Sequence, residues 1–207
     1  SNDENLKKLK DLINSNSIDC EIIHHNNSEH KEKIAAENNQ ETFGNLSSLL
    51  KCFEIAKREQ SDLIYFVEDD YLHYDHSLVD MLDTYERISS QHKDEIIVCP
   101  SDYPFNYMTN EKTNILIGSK QHWRIITKML CTFMISKKMF QKHINNFEKT
   151  CEKRHDPFEK YLNEVLQKEI AISPIKSLAI HLTNVNSSYG LSPFIDYKKL
   201  WDENKVK

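Results

Sequence analysis

The sequence predicts an α/β domain in which helices flank a mainly parallel central sheet. Segments with helical periodicity alternate with short apolar segments rich in β-branched and aromatic residues through the first half of the chain. The 207 residues suffice for one domain with a sizeable core, so we expect a single domain over residues 1–207. Glycine occurs only three times, which excludes Gly-rich dinucleotide-binding and phosphate-binding loops.

Hydrophobic periodicity assigns the elements in chain order. The clearest helix covers residues 46–58, where the apolar residues that recur on one face are Leu46, Leu49, Leu50, Phe53 and Ala56. The other predicted helices cover residues 6–14, 77–89, 137–145 and 158–167. The predicted strands cover residues 19–25, 62–67, 95–99, 115–117, 130–135, 170–172 and 177–181. The chain opens on a helix, whereas a nucleotide-binding α/β domain normally opens on a strand. Either the first strand lies upstream of this chain, or the fold departs from that pattern.

Composition narrows the partners and the compartment that we expect. The formal net charge of −5 gives no reason to expect nucleic-acid binding. No apolar run reaches the about 18 residues of a transmembrane helix. The five cysteines are odd in number and form no CxxC pair, so we expect reduced thiols and a cytoplasmic protein.

Three adjacent acids end the most apolar predicted strand. Glu68, Asp69 and Asp70 directly follow residues 63–67. Carboxylates this close repel one another in a poorly solvated place and favour a bound cation, and oxygen ligands favour Mg²⁺ or Mn²⁺ over Zn²⁺. Side chains alternate along a strand, so we expect Glu68 and Asp70 to share the cation and Asp69 to face the other way. The alternative is a solvated acidic loop.

A strand that ends in this acidic triplet resembles the DxD-type motif of GT-A-fold glycosyltransferases, in particular the glycosyltransferase family 2-like group. The resemblance implies a GT-A fold in which Asp70 is the metal ligand and Glu68 faces the ribose or the water shell of the metal. A preceding segment that contains Asn39, Gly44 and Asn45 and leads into a helix resembles the part of that family that lines the nucleotide pocket. The alternative for Gly44 and Asn45 is a simple turn and helix start.

The loop after the next strand adds candidate substrate-binding residues. Asp102 lies among the aromatic residues of 101–107, which suits a sugar-binding surface, and Trp123 and Arg124 follow. The order of the acidic triplet, this aromatic loop and Trp123-Arg124 along the chain resembles a group of GT-A-like proteins of poorly defined specificity. Arg124 would offset diphosphate charge or bind an acidic sugar. The alternatives are a loop packed by its own tyrosines, and a surface arginine beside a core tryptophan.

Two later residues complete the site that the resemblance implies. Asp156 lies before a proline at a predicted helix start and would be the general base of an inverting transfer, with Asp102 as the competing base. His181 follows a short apolar strand and would be a further metal ligand. The alternatives are an ordinary helix N-cap for Asp156 and a structural histidine.

We therefore expect a glycosyltransferase of the hexosyltransferase type that requires Mn²⁺ or Mg²⁺. It would move a sugar from a nucleoside-diphosphate donor to a hydroxyl of a glycan or lipid-linked acceptor. The resemblance alone suggests surface-polysaccharide or lipopolysaccharide synthesis, with peripheral association at the inner face of the membrane. The alternatives are a nucleotidyltransferase and a non-catalytic module that binds sugar or metal.

Overall fold

A six-stranded mixed sheet flanked by helices forms the centre of the molecule. The structure is a computed structural model that describes residues 2–108, 110–182, 187–190 and 195–205. Its strands are β1 (Leu63–Phe66), β2 (Tyr71–His73), β3 (Ile96–Val98), β4 (Ile115–Ile117), β5 (His122–Ile125), β6 (Phe133–Ser136), β7 (Ile170–Pro174) and β8 (Ala179–His181). Its helices are α1 (Asn2–Ser15), α2 (Gln40–Ala56), α3 (Ser77–His92), α4 (Lys137–Lys142), α5 (Ile144–Thr150), α6 (Lys160–Leu166) and α7 (Tyr197–Glu203).

The sheet is mixed, so the prediction of a mainly parallel sheet is wrong. Its order is β1-β6-β3-β7-β5-β4, and β2 pairs with β8 in a separate two-stranded ribbon. Only the β3–β7 pair is parallel among the pairings of the described strands. β1 and β3 are joined through α3 and point the same way, as the alternation of elements predicted. β6 lies between them and runs antiparallel to both.

Two of the antiparallel strand pairs have local features that fit their positions in the sheet. Every residue of β6 is buried, which suits a strand at the centre of a sheet that is covered on both faces. β4 and β5 form a tight hairpin in which the backbone N–H of Gly118 donates to the carbonyl of Gln121 at 3.0 Å. The four residues between these strands, 118–121, can only join antiparallel neighbours, because a parallel pair needs a long crossover.

Helix α2 packs against the sheet and contributes its buried apolar face to a core cluster. It begins earlier than predicted because Asn39 caps it, with its Oδ1 atom accepting a hydrogen bond from the Thr42 N–H at 2.9 Å. Its predicted apolar face is confirmed, since Leu46, Leu50 and Phe53 are buried. This face packs in one cluster with four phenylalanines from β1, β6, α4 and α5, which are Phe66, Phe133, Phe140 and Phe147.

Other elements depart from the predictions at particular points. The strand predicted over residues 19–25 is absent, and Ile18 and Ile23 are 52% and 41% exposed. This segment has no strand partner within the described residues, and an unpaired strand leaves its backbone groups unsatisfied. The helix predicted over 137–145 is interrupted at His143, where α4 ends and α5 begins. β2 and β5 were not predicted.

Candidate functional site

The β2–β8 ribbon brings together two residues that are far apart in the sequence. β1 ends at Phe66, and the chain turns through residues 68–71 before it enters β2. Tyr71 then pairs with His181 at the end of β8, and the carbonyl of Asp70 accepts the N–H of Leu182 at 2.8 Å. This register places His181 beside Asp70, so the structure unites two of the predicted metal ligands.

The hydrogen bonds of His181 define what its ring offers to Asp70. Its Nδ1 atom donates to the carbonyl of Tyr189 at 3.1 Å, because a carbonyl oxygen can only accept. Its Nε2 atom lies 2.9 Å from Oδ2 of Asp70. A neutral ring with its proton on Nδ1 presents a lone pair to the carboxylate. A cation that both atoms bind would satisfy this contact.

The Nε2–Oδ2 spacing fits two ligands of one cation. Neighbouring ligands of an octahedral ion lie about 3 Å apart when each metal–ligand distance is about 2.1 Å. Imidazole nitrogen and carboxylate oxygen are both ligands that Mn²⁺ accepts. The side chains of His181 and Asp70 are 14% and 33% exposed, so solvent reaches the pair. The donor set thus suits a Mn²⁺ or Mg²⁺ ion.

Glu68 adds a second carboxylate whose environment disfavours its charge. Glu68 is exposed as a residue, but neighbouring protein atoms desolvate its carboxyl group. This desolvation and the nearby charge of Asp70 raise the pKa of Glu68 to about 7. Thr132 holds the residue in place, because its Oγ1 atom accepts the N–H of Glu68 at 3.0 Å. A cation next to Asp70 would relieve the repulsion between the two carboxylates.

The acidic turn lines a cleft of about 360 Å³ between α2 and the end of β1. One face of α2 forms a wall of the cleft with Asn45, Ser48, Leu49 and Cys52. Positions 66–70, Cys131 and Phe158 form the rest of the lining. The structure therefore brings the predicted Asn45 to the same cleft as the predicted acids.

Asp69 also lines this cleft, although the alternation of a strand predicts that it faces away. The strand ends at Phe66, and the chain is already turning at Asp69. The N–H of Tyr71 donates to the carbonyl of Glu68 at 3.4 Å across this turn. The two-residue period of a strand does not apply inside a turn. All three acids of the triplet consequently face one cavity.

A carboxylate that the sequence did not single out lies near the pair. Burial raises the pKa of Glu159, and the charge of His181 partly opposes that rise. Glu159 in turn contributes to the raised pKa of Glu68, so the two carboxylates share one electrostatic neighbourhood. Asp156, the predicted base, is exposed, whereas Glu159 is partly buried, and neither acid is among the described residues that line the cleft. An acid three residues later, just before α6, was the signal that could have identified Glu159.

Asp102 and Arg124 are engaged with each other and not with the acidic cleft. The side chain of Asp102 is 3% exposed, and its Oδ1 atom lies 3.7 Å from Nη2 of Arg124. The hydroxyl of Tyr107 donates to Oδ2 of Asp102, and the guanidinium of Arg124 lies 4.3 Å from the centre of the Tyr107 ring. A carboxylate held in this way is poorly placed to accept a proton from a substrate.

Trp123, predicted as a substrate-binding residue, is a core residue and is not among the described residues that line the acidic cleft. It is fully buried and packs with Met81 and Ile88 of α3. It lies on β5, and four strand spacings of about 4.8 Å place β5 about 19 Å from β1. Its neighbour Arg124 points to the other face of the sheet. The tryptophan is thus part of the support for the sheet and not of the cleft.

The two remaining predicted residues lie near the start of α2. Asn39 is the N-cap of this helix and lines a second cavity. Gly44 packs beside Asn27, whose Nδ2 atom would lie 3.4 Å from an added Cβ atom. Neither residue is among those that line the acidic cleft. Of the three residues predicted at this part of the chain, Asn39, Gly44 and Asn45, only Asn45 lines the acidic cleft.

Comparisons with known proteins leave the site as the basis for any functional assignment. No family model matches the chain, and no curated protein matches it significantly.

The described residues contain no group of three or more His, Cys, Asp or Glu side chains that could hold a metal ion. Mg²⁺ usually keeps several waters and takes further ligands from substrate phosphates, so a partial protein site is compatible with it. None of the helices in the described ranges has the length and apolar character to cross a bilayer.

Proposed function

We propose that this protein is a metal-dependent glycosyltransferase with a GT-A fold. The supporting observation is the 2.9 Å contact between Asp70 Oδ2 and His181 Nε2 at a cleft lined by an acidic turn. The donor would be a nucleoside-diphosphate sugar, and the acceptor a hydroxyl of a glycan or of a lipid-linked sugar. The mixed α/β sheet is compatible with this fold.

Asp70 and His181 would hold Mn²⁺ or Mg²⁺, with Glu68 next to them. When bound there, the ion supplies positive charge that stabilises the departing diphosphate. Tyr189 keeps the proton of His181 on Nδ1 through its carbonyl, which leaves Nε2 available as a ligand. The ring of Tyr71 stacks on His181 with centroids 5.0 Å apart and so fixes its orientation.

The cleft would receive the donor along the exposed face of α2. Its volume of about 360 Å³ lies within the range of small-molecule sites. Asn45 and Ser48 offer hydrogen-bonding groups, while Leu49 and Phe158 offer apolar surface. This combination suits one part of a nucleotide sugar, with the diphosphate directed towards Asp70.

Glu159 is the residue that we propose as the base. In an inverting transfer, the acceptor oxygen forms a bond to the anomeric carbon while the bond from that carbon to the diphosphate oxygen breaks. The proton of the acceptor hydroxyl passes to the carboxylate of Glu159. The support for Glu159 is that its carboxyl group is desolvated and interacts electrostatically with His181 and Glu68, whereas Asp156 is exposed; neither acid is among the described residues that line the cleft.

The test is release of nucleoside diphosphate from a panel of uridine and guanosine diphosphate sugars in the presence of Mn²⁺. Water or an added sugar serves as the acceptor. We expect Asp70→Asn and Glu159→Gln each to lower the rate by about 100-fold or more. Asp62→Asn makes the same chemical change at an exposed acid just before β1 and should keep the rate, as should Asp156→Asn.

Each alternative gives a different result in this assay. Full activity of Asp70→Asn would overturn the metal role of that residue. If Asp156→Asn loses activity and Glu159→Gln retains it, Asp156 and not Glu159 is the general base. Donor binding without turnover for every sugar and acceptor would contradict a transferase and favour a non-catalytic binding module.

A further inference from the structure

A second cavity of about 600 Å³ lies at the start of α2, away from the acidic turn. It lies between a 3-10 turn (Asn27–His30) and the segment that leads into α2. Five of its eleven lining residues carry carboxamide side chains, namely Asn26, Asn27, Asn38, Asn39 and Gln40. We call this site the carboxamide cavity. Its volume lies within the range of small-molecule binding sites.

Buried contacts hold one wall of the carboxamide cavity in place without a ligand. His30 follows the lining residues Asn27 and Ser28 in the chain and is 3% exposed. Its Nδ1 atom lies 2.9 Å from Oγ of Ser47, and its Nε2 atom lies 3.2 Å from Oε2 of Glu54, both on α2. Ser47 also donates to the carbonyl of Asn27 at 3.3 Å. These bonds fasten the turn to the helix, so the cavity is largely formed in advance.

The lining offers many hydrogen-bonding groups that the described part of the protein does not use. The Oδ1 atoms of Asn26 and Asn39 accept backbone N–H groups, but their Nδ2 groups donate to no described residue. The side-chain amides of Asn38 and Gln40 make no hydrogen bond within the described residues, and both residues are exposed. Each free amide can donate twice and accept twice, which matches the mixed donor and acceptor character of hydroxyl groups.

Apolar surface and weak charge complete the lining. Phe43 and Ile34 give the cavity an apolar floor, and an aromatic face packs well on the C–H face of a sugar ring. Lys31 and Glu37 are the charged residues among those that line it, one of each sign. A phosphate-bearing ligand would favour several cations, which this lining does not provide.

We propose that the carboxamide cavity is a binding site for a neutral carbohydrate. Amide groups would bind its hydroxyls, and Phe43 would contact a ring face. This binding depends on the lining alone and not on the transferase activity. The further assignment of this carbohydrate as the acceptor rests on the proposed function, since α2 also forms a wall of the acidic cleft.

Side-chain amide signals in ¹H–¹⁵N NMR spectra report directly on the carboxamide cavity. The full chain is titrated with glucose, galactose, N-acetylglucosamine, maltose and cellobiose, and separately with inorganic phosphate. We expect at least one sugar to shift Asn and Gln amide signals in a saturable manner, and phosphate to leave them unchanged. No saturable shift with any of these sugars, or displacement of a bound sugar by phosphate, would overturn the proposal.

Two adjacent alanines provide a matched pair of variants. Ala35 is exposed and lines the cavity, whereas Ala36 is exposed and does not. Ala35→Trp should weaken sugar binding at least about tenfold by filling the cavity, and Ala36→Trp should leave it unchanged. Gln40→Ala removes one amide without filling the cavity and should also weaken binding. Equal binding by wild type, Ala35→Trp and Gln40→Ala would place the sugar elsewhere and overturn the proposal.

One further variant separates this site from the proposed transferase. Asp70→Asn should retain sugar binding in the carboxamide cavity even where it abolishes donor cleavage. Sugar binding without donor cleavage in the wild type would support the carbohydrate site while contradicting the transferase. Donor cleavage without sugar binding at this cavity would support the transferase and contradict the carbohydrate site.

Discussion

The same substitution at two glycines should change stability in opposite directions. Gly44 lies inside α2, and a Cβ atom there would lie 3.4 Å from Nδ2 of Asn27, which is ordinary contact. Gly118 is buried at the turn between β4 and β5. A Cβ atom at Gly118 would lie 2.3 Å from Cδ1 and Nε1 of Trp123 and 2.9 Å from Oγ1 of Thr84. Real Cβ atoms essentially never approach so closely.

The magnitude at Gly44 follows from helix propensity. Alanine in a helix interior is more stable than glycine by about 0.5–1 kcal/mol, because glycine loses more backbone freedom on folding. The contact with Asn27 adds no strain at 3.4 Å. For a domain of this size, each kcal/mol corresponds to about 2–4 °C in Tm. Gly44→Ala should therefore raise Tm by about 1–4 °C.

At Gly118 the neighbours cannot move aside without a penalty. The indole of Trp123 is fully buried, and Thr84 is buried as well. The Oγ1 atom of Thr84 also accepts the N–H of Ser119 at 3.1 Å, which ties the turn to α3. Overpacking of such a site costs about 1–3 kcal/mol. Gly118→Ala should lower Tm by at least about 2 °C.

Urea unfolding at constant pH, followed by far-UV circular dichroism, measures both variants against the wild type. We expect their free energies of unfolding to lie on opposite sides of the wild-type value and to differ by about 1.5–4 kcal/mol. A Gly118→Ala protein as stable as the wild type would show that Trp123 does not pack against this turn. A destabilised Gly44→Ala protein would contradict the helical placement of Gly44.

Two further predictions concern a charged contact and the core. Hydrogen bonds from Lys142 and His143 lower the pKa of Glu169 below its usual 4.5, although burial opposes this. The contact therefore stabilises the fold above about pH 4.5, and this stabilisation is lost as pH falls through the lowered pKa. Glu169→Gln should be less stable than the wild type at pH 7 and equally stable in strong acid. Urea unfolding at a series of pH values measures this difference. Phe53→Ala should cost about 3–5 kcal/mol, and Leu9→Ala at the exposed α1 less than about 0.5 kcal/mol. A loss below about 1 kcal/mol for Phe53→Ala in the same assay would contradict its place in the core.

Local patterns predicted the elements that bury a clear apolar face. The spacing of Leu46, Leu50 and Phe53 indicated α2, and the apolar run before Glu68 indicated β1. Both elements exist, although α2 begins six residues before its predicted start, and both contribute residues to the lining of the cleft. Their apolar residues determine the face that is buried, and a short stretch of sequence is enough to show that face.

Long-range pairing is what local patterns could not predict. The alternation of elements indicates that β1 and β3 point the same way, but it contains no information that β6 lies between them. Local patterns also do not predict that β2 pairs with β8, although this pairing determines which residue faces Asp70. The isolated segment over residues 19–25 has the composition of a strand but lacks a partner within the described residues.

The candidate site was predicted in part for the same reason. Asp70 and His181 were predicted as ligands of one ion, and the structure brings them within 2.9 Å. Glu159 was not singled out, because only the folded chain brings its carboxyl group into the electrostatic neighbourhood of His181. Trp123 and Arg124 were predicted together, but adjacency in the sequence does not show that the two side chains lie on opposite faces of a sheet.

Binding of Mn²⁺ tests the central claim most directly. Electron paramagnetic resonance of free Mn²⁺ measures how much ion the wild type, Asp70→Asn, His181→Gln and the control Asp62→Asn remove from solution, with and without a nucleoside diphosphate. The proposed site predicts that the wild type and Asp62→Asn bind Mn²⁺ alike and more tightly with the diphosphate present. Asp70→Asn and His181→Gln should each bind it at least about tenfold more weakly. Wild-type affinity in both Asp70→Asn and His181→Gln would contradict a metal site at the end of β1.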